Sequence, residues 1–195
     1  NYGMGWSYND ATEARGFNPV FGVGITHYFN PKWSLYSGIQ YGSIVNLKVS
    51  QKTFSSANFD FGYNAIDTVV DTKLLHYVVL PVQFQYCFDT KNTIGIGGSV
   101  SYLVNTTSNV VAYSKNSFGS TDMNQKKQFG FMNGFNKWDA SLAISYRRRI
   151  SEKFSISASA NYGLLDIKEN SFFSRENFER NIGLKILFRY DLFQY

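Results

Sequence analysis

The chain has 195 residues, enough for one domain with its own core, and a net charge of +5, too modest to call for a nucleic-acid partner. Its single cysteine, Cys87, rules out an intramolecular disulfide and any cysteine-based metal centre. Aromatic residues reach 18%, while the densest apolar patch, YVVLPV at 77–82, is far too short for a membrane helix.

Taken in chain order, the elements repeat one pattern. At 2–8, Tyr2, Met4, Trp6 and Tyr8 alternate with Gly3, Gly5 and Ser7. The stretch 17–29 places Phe17, Phe21, Val23, Ile25 and Phe29 on one face, and 33–48 does the same with Trp33, Leu35, Ile39, Tyr41 and Val45. In 73–88 the oily series is Val78, Leu80, Val82, Phe84, Tyr86 and Phe88. In 93–107 it is Ile94, Ile96, Val100, Tyr102 and Val104, set against Thr93, Gly95, Gly97, Ser99 and Ser101. The stretches 135–150, 153–167 and 178–193 continue the alternation, the last with Ile182, Leu184, Ile186, Phe188 and Tyr190 on one face. A period of two is a strand and not a helix. About eight strands result, and no helix.

The connections alternate too. NPK at 30–32, DTKN at 89–92 and SEK at 151–153 predict tight hairpin turns. The links 50–72, 106–134 and 168–177 are longer and rich in Ser, Asn, Lys and Gly, and are expected to be loops. Tight turns at one end and long links at the other describe an all-β, eight-stranded antiparallel up-and-down barrel as a single domain over 1–195. The even strand count sets both termini at the tight-turn end.

Which face meets water decides the class. The strands run longer than the usual soluble strand and suffice to cross a bilayer at a tilt. The polar faces mix small residues with charges of both signs, which suits a narrow filled lumen. Aromatics gather near both ends of the oily series: Phe29, Trp33, Phe88, Phe154 and Tyr190 towards the tight turns, Trp6, Phe17, Tyr41, Tyr102, Trp138 and Tyr162 towards the long links. Two such girdles mark the two interfaces of a transmembrane barrel. The expected place is therefore the bacterial outer membrane, with termini and tight turns periplasmic and long links extracellular. Outer-membrane lipid and lipopolysaccharide would surround it. The chain opens at NYGMGWSY without a secretion signal, so either a leader has been removed or this is a piece of a longer protein.

The block order VVLPVQFQYCF, TIGIGGSVSYLV, DASLAISYRR, FSISASANYGLLDI and NIGLKILFRY resembles the PorT-like outer-membrane β-barrel domain family of Bacteroidota over 73–193. The resemblance implies a small barrel of the OmpX type and points to type IX secretion and gliding assemblies. The last strand is also similar to the insertion signal read by the barrel-assembly machinery, through Asn181, Gly183, Ile186 and Phe188; the chain departs from the usual pattern by running on through RYDLFQY.

Three groups of residues carry the remaining chemistry. Asp139, Arg147, Arg149, Glu179, Lys185 and Arg189 face inward, with Asp191 as a further acid, and predict a network of ion pairs filling the lumen, since a buried charge is expensive unless paired. Phe59, Phe61, Tyr63, Phe118, Phe129 and Phe131 stand in the two longest links, as contact residues or folded back over the barrel mouth. Lys32, Lys91, Arg148 and Lys153 make the tight-turn end basic, as snorkelling cations or a rim for other envelope proteins. Catalysis finds little to use. Only His27 and His76 are available, both on the oily face; Ser43 lies near the level of His76, but no acid is in register to orient the ring. No enzyme activity, cofactor or metal is expected. The expected function is a structural or anchoring subunit of an envelope machine. The alternatives are a free-standing barrel, as narrow channel or surface-binding protein, and the outer-membrane end of a longer signalling protein.

Overall fold

Each alternating stretch contains a strand in the computed structural model, which describes residues 1–11, 14–57, 64–115, 121–130, 135–166 and 182–192. The strands are β1 (Tyr2–Ala11), β2 (Ala14–Tyr28), β3 (Trp33–Ala57), β4 (Asn64–Cys87), β5 (Asn92–Lys115), β6 (Thr121–Phe129), β7 (Trp138–Arg149), β8 (Phe154–Gly163) and β9 (Ile182–Tyr190). All pairings are antiparallel, and the β1–β9 ladder, from Tyr2↔Tyr190 to Asp10↔Ile182, closes the ring. Nine strands fill eight places. β7 pairs with the lower part of β5 (Asn92↔Arg148 to Tyr102↔Trp138), and β6 takes the same edge higher up (Thr107↔Phe129 to Lys115↔Thr121).

The three tight turns are built alike. Asn30 Oδ1 accepts hydrogen bonds from the amides of Lys32 and Trp33, both at 2.9 Å. Asp89 Oδ1 accepts from the amides of Lys91 at 2.7 Å and Asn92 at 2.6 Å, and Ser151 Oγ accepts from the Phe154 amide at 3.2 Å. Short polar side chains that bond the backbone ahead of them are what turns select for. The Asn92 side-chain amide, 2.7 Å from Asp89 Oδ2, and the Lys91 amide hold the Asp89 carboxyl below the usual carboxylate range.

The ring turns its oily face outward. Ile25, Ile39, Ile96, Leu142, Ile144, Leu184 and Ile186 form an exposed belt, Ile25 at 76% and Ile96 at 68%. A continuous apolar belt of this kind does not occur on a monomer in water. Aromatic clusters bound it. Near the tight turns Trp33 lies 4.8 Å from Tyr86, Phe29 lies 5.8 Å from Phe84, and Phe154 lies 5.0 Å from Tyr190. At the other rim Tyr102 lies 4.8 Å from Trp138 and Phe21 lies 4.9 Å from Tyr41. Inside, buried polar side chains such as Asn18, Ser34, Gln40, Gln83, Gln85, Ser145 and Ser157 pack with Tyr36 and with apolar ones such as Val20, Leu75, Leu103 and Leu187.

The links 50–72 and 106–134, expected as loops, are largely strand. β3 runs to Ala57, β4 starts at Asn64, β5 runs to Lys115, and β6 follows. β3, β4 and β5 have 25, 24 and 24 residues, against 10 for β8 and 9 for β9. A transmembrane strand needs about 9–11 residues. Since their lower ends share the tight-turn level, half of each tall strand stands clear of the belt. The projecting part is a four-stranded sheet in the order β3-β4-β5-β6. Its sequences, such as SQKTFSSA and NAIDTVVDT, mix polar and apolar residues without a sustained period of two and so lack the oily stripe by which the other strands announce themselves. In the other direction, β8 ends at Gly163, short of the 153–167 expected, and β9 ends at Tyr190, short of the 178–193 expected; 167, 178–181 and 193 lie outside the described residues. The third long link, 168–177, lies outside the described residues.

Ile186→Lys or Leu142→Lys, each placing a cation in the outer belt, should destabilise the barrel by roughly 2–4 kcal/mol. Urea titration of folding into lipid vesicles measures this, and tolerance of both lysines by a detergent-free folded protein would contradict a lipid-facing belt.

Candidate functional site

Two places can carry function: the lumen and the projecting sheet. The lumen is organised around Tyr36. Gly24 on the adjacent strand makes room for its ring, since a Cβ there would stand 2.6 Å from Tyr36 Cε2. The Arg189 guanidinium lies over the ring, 4.3 Å from its centroid. Gln40 Nε2 donates to Tyr36 Oη at 3.3 Å, and Gln40 Oε1 accepts from Lys185 Nζ at 2.9 Å. Lower down, Arg147 Nη2 donates to Thr93 Oγ1 at 3.5 Å, and Ser145 Oγ donates to Gln83 Oε1 at 3.0 Å.

The inward charges therefore meet in an unexpected way. Lys185, Arg189 and Arg147 share the lumen, but their bonded partners are an amide, a ring and a hydroxyl. Asp139 stands apart, opposite Ser101 near the upper end of β7, and its Oδ1 has no hydrogen bond among the described residues. Arg149 and Asp191 are half-buried at the tight-turn mouth, where both line an open groove of about 730 Å³. At mid-height the interior narrows to cavities of about 20 Å³ and 10 Å³, room for single waters. Glu179 lies outside the described residues.

Neutral groups fill much of the lumen, and sequence reasoning passed over them. Tyr36 could have been found: it is the one aromatic in the polar series Ser34, Gly38, Gln40, and it faces a strand that supplies Gly22 and Gly24. Gln83 and Gln85 carry no comparable signal beyond their place on the inward face.

The histidines lie on the outside. His27 is exposed and edge-on to Phe29 at 5.1 Å. His76 sits at the upper aromatic rim, its Nδ1 2.5 Å from Tyr41 Oη and its Nε2 3.1 Å from Thr107 Oγ1. Ser43 is directly across the ladder from it. Both ring nitrogens are engaged by other hydroxyls, so neither is free to activate Ser43 as a base. Among the described residues no group of three or more His, Cys, Asp or Glu could hold a metal.

On the last strand, Gly183 is buried, while Ile186 and Phe188 point outward; Asn181 lies outside the described residues. Lys32, Lys91, Arg148 and Lys153 are exposed at the tight-turn rim. Of the aromatic residues in the two long links, Phe129 ends β6 and is 66% exposed. Phe59, Phe61, Tyr63, Phe118 and Phe131 lie outside the described residues. The projecting sheet has open sides: among the described residues β6 pairs only with β5, and β3 has no partner from β2 beyond Leu47.

The chain is similar to several solved structures at low identity. Neisserial surface protein A is 10% identical, with 97% of this chain and 94% of that chain covered and a TM-score of 0.52, a likeness of fold. Ail, the attachment invasion locus protein of Yersinia pestis, is 11% identical over 97% and 95% of the two chains, with a TM-score of 0.43. The monoaromatic hydrocarbon channel CymD is 10% identical over 100% and 66%, also with a TM-score of 0.43. No curated protein matches the sequence. The profile of the outer membrane protein beta-barrel domain matches residues 7–169, most of the chain; the chain belongs to that family and is a β-barrel of the bacterial outer membrane.

Proposed function

We propose that this barrel is a free-standing, non-enzymatic surface protein that holds an extended segment of an extracellular partner along the open edge of its projecting sheet. One observation carries the reading: β6 pairs with β5 on one side and with no described strand on the other, well beyond the membrane belt. An exposed row of backbone donors and acceptors is a template for adding a strand. Lys126 and Lys127 on this edge disfavour its pairing with a second copy of itself. The tight turns face the periplasm, the barrel-assembly machinery reads the last strand, and lipopolysaccharide surrounds the outer part of the belt. The narrow mid-lumen weighs against the small-channel alternative.

The resemblance to PorT-like barrels of Bacteroidota supports a second reading, a scaffold of a type IX secretion or gliding assembly. It rests on the block order over 73–193, and the basic tight-turn rim would be its docking face. Co-purification in mild detergent separates the two, because a scaffold brings envelope proteins with it whether or not the projecting sheet is present.

Surface exposure is tested in a Cys87→Ser background. A membrane-impermeant maleimide applied to intact cells should label Lys52→Cys and Gln125→Cys, and should reach Thr90→Cys only after the outer membrane is opened. Labelling of Thr90→Cys from outside would invert the topology.

Edge binding is tested by replacing 110–126 with an Asn-Gly turn, which joins Asn109 and Lys127, already opposite each other, in a short hairpin. The barrel should still fold. Extended peptides selected from a displayed library on the nanodisc-embedded protein should lose at least about tenfold in affinity, roughly 1.4 kcal/mol. Equal affinity for both forms would refute recognition at this edge.

A further inference from the structure

We propose that the middle of the lumen binds one small monovalent inorganic anion of the halide class, chloride in ordinary media. The cavity of about 20 Å³ at mid-height is bordered by Lys185, Arg189, Ser145, Ser157, Ser159 and Asn161. Two of these are cations and the others can donate hydrogen bonds. Among the described residues no acidic side chain lines the cavity.

The arrangement lacks a partner. Arg189 is only 5% exposed, and its Nη1 has no hydrogen bond among the described residues. Ser155, directly opposite Arg189 in the β8–β9 ladder, is buried as well, and its Oγ is likewise unpartnered. Buried polar atoms are almost always satisfied, and a charged nitrogen most of all. The positive charges also crowd each other. Arg189 is repelled by both Lys185 and Arg147, and the carboxylate whose field reaches it is Asp191, at the mouth. Gln40 and Tyr36 hold Lys185 and Arg189 in place but neutralise neither.

A water molecule would satisfy Nη1 and leave the charge uncompensated. A monatomic anion does both, and the cavity is too small for phosphate or sulfate. The route in is marked by charge. Arg147 and Arg149 line both the groove of about 730 Å³ at the tight-turn mouth and a neighbouring space of about 210 Å³, and Arg189 lies in the same register row as Arg149 through Ser155. A second cavity of about 10 Å³ on Arg189 is shared with Tyr36, Gln40 and Leu187.

The experiment uses the whole chain in detergent. Crystals grown in sodium bromide should show one anomalous peak inside the barrel, within hydrogen-bonding reach of Arg189 Nη1. Thermal unfolding in sodium chloride against sodium gluconate, at matched ionic strength, should show Tm higher in chloride. At a chloride concentration about a hundredfold above Kd the rise should be roughly 5–10 °C. Lys185→Met should lower that chloride-dependent rise. If this variant does not fold, the bromide peak in the unaltered protein decides. A mid-lumen cavity without anomalous density, or equal Tm in chloride and gluconate, would overturn the proposal.

Discussion

A backbone amide inside hydrocarbon has no water to bond with, and every other feature of this molecule follows from that condition. A sheet can meet it only by closing on itself. The contact that accomplishes this is the ladder between β1 and β9, the first and last strands of the ring. Closure in turn fixes the side chains. Once the ring exists, each strand has a lipid side and a lumen side, and period-two alternation sends Ile186 one way and Lys185 the other.

Closing at eight places sets the second condition, a lumen no wider than its own side chains. The chain meets it with neutral groups. Tyr36 lies across the interior because Gly24 leaves its ring space, and Gln40, Gln83 and Gln85 fill around it. A fully ionic interior would hold each charge only where its partner stood, and losing one partner would strand the other. Amide and hydroxyl partners tolerate the lumen cations without requiring that register. The result is an interior with excess positive charge, which is why its mid-height cavity invites an anion.

The sequence disclosed the membrane-facing part of this design and concealed the rest. Ile25, Ile39, Leu142 and Leu184 alternate with small polar residues because lipid on one side and a packed lumen on the other impose opposite chemistry. That contrast is visible without coordinates. Above the belt it disappears: 49–57 and 64–72 carry no sustained oily alternation, and their strands look like loop sequence. The site suffered similarly. Inward-facing charges could be assigned by parity, but parity says nothing of height, and Asp139 stands about eight residues along β7 from Arg147, roughly 27 Å at strand rise. Asp139 and Arg147, opposite charges on one face, are thus not neighbours.

Height also explains where an open edge is permitted. Within the belt an unpaired strand would be prohibitively costly, so β5 must have a partner there, and β7 provides it. Above the belt water can serve the outer edge of β6, and the lipid constraint lapses. The change of partner on β5 falls between Tyr102 and Thr107. Register shifts in the neighbouring ladders fall at the same level, between Val45 and Val49 in β3–β4 and between Thr72 and Tyr77 in β4–β5. Extra residues in a ladder bend and twist the strand that carries them. A wall that had to curve into a ring is there released into a sheet that stands free. Because β3, β4 and β5 continue through that transition unbroken, the projecting sheet inherits its footing from the barrel. Recognition can then use an edge that the membrane forbids a few residues below, on a support whose rigidity the membrane enforces.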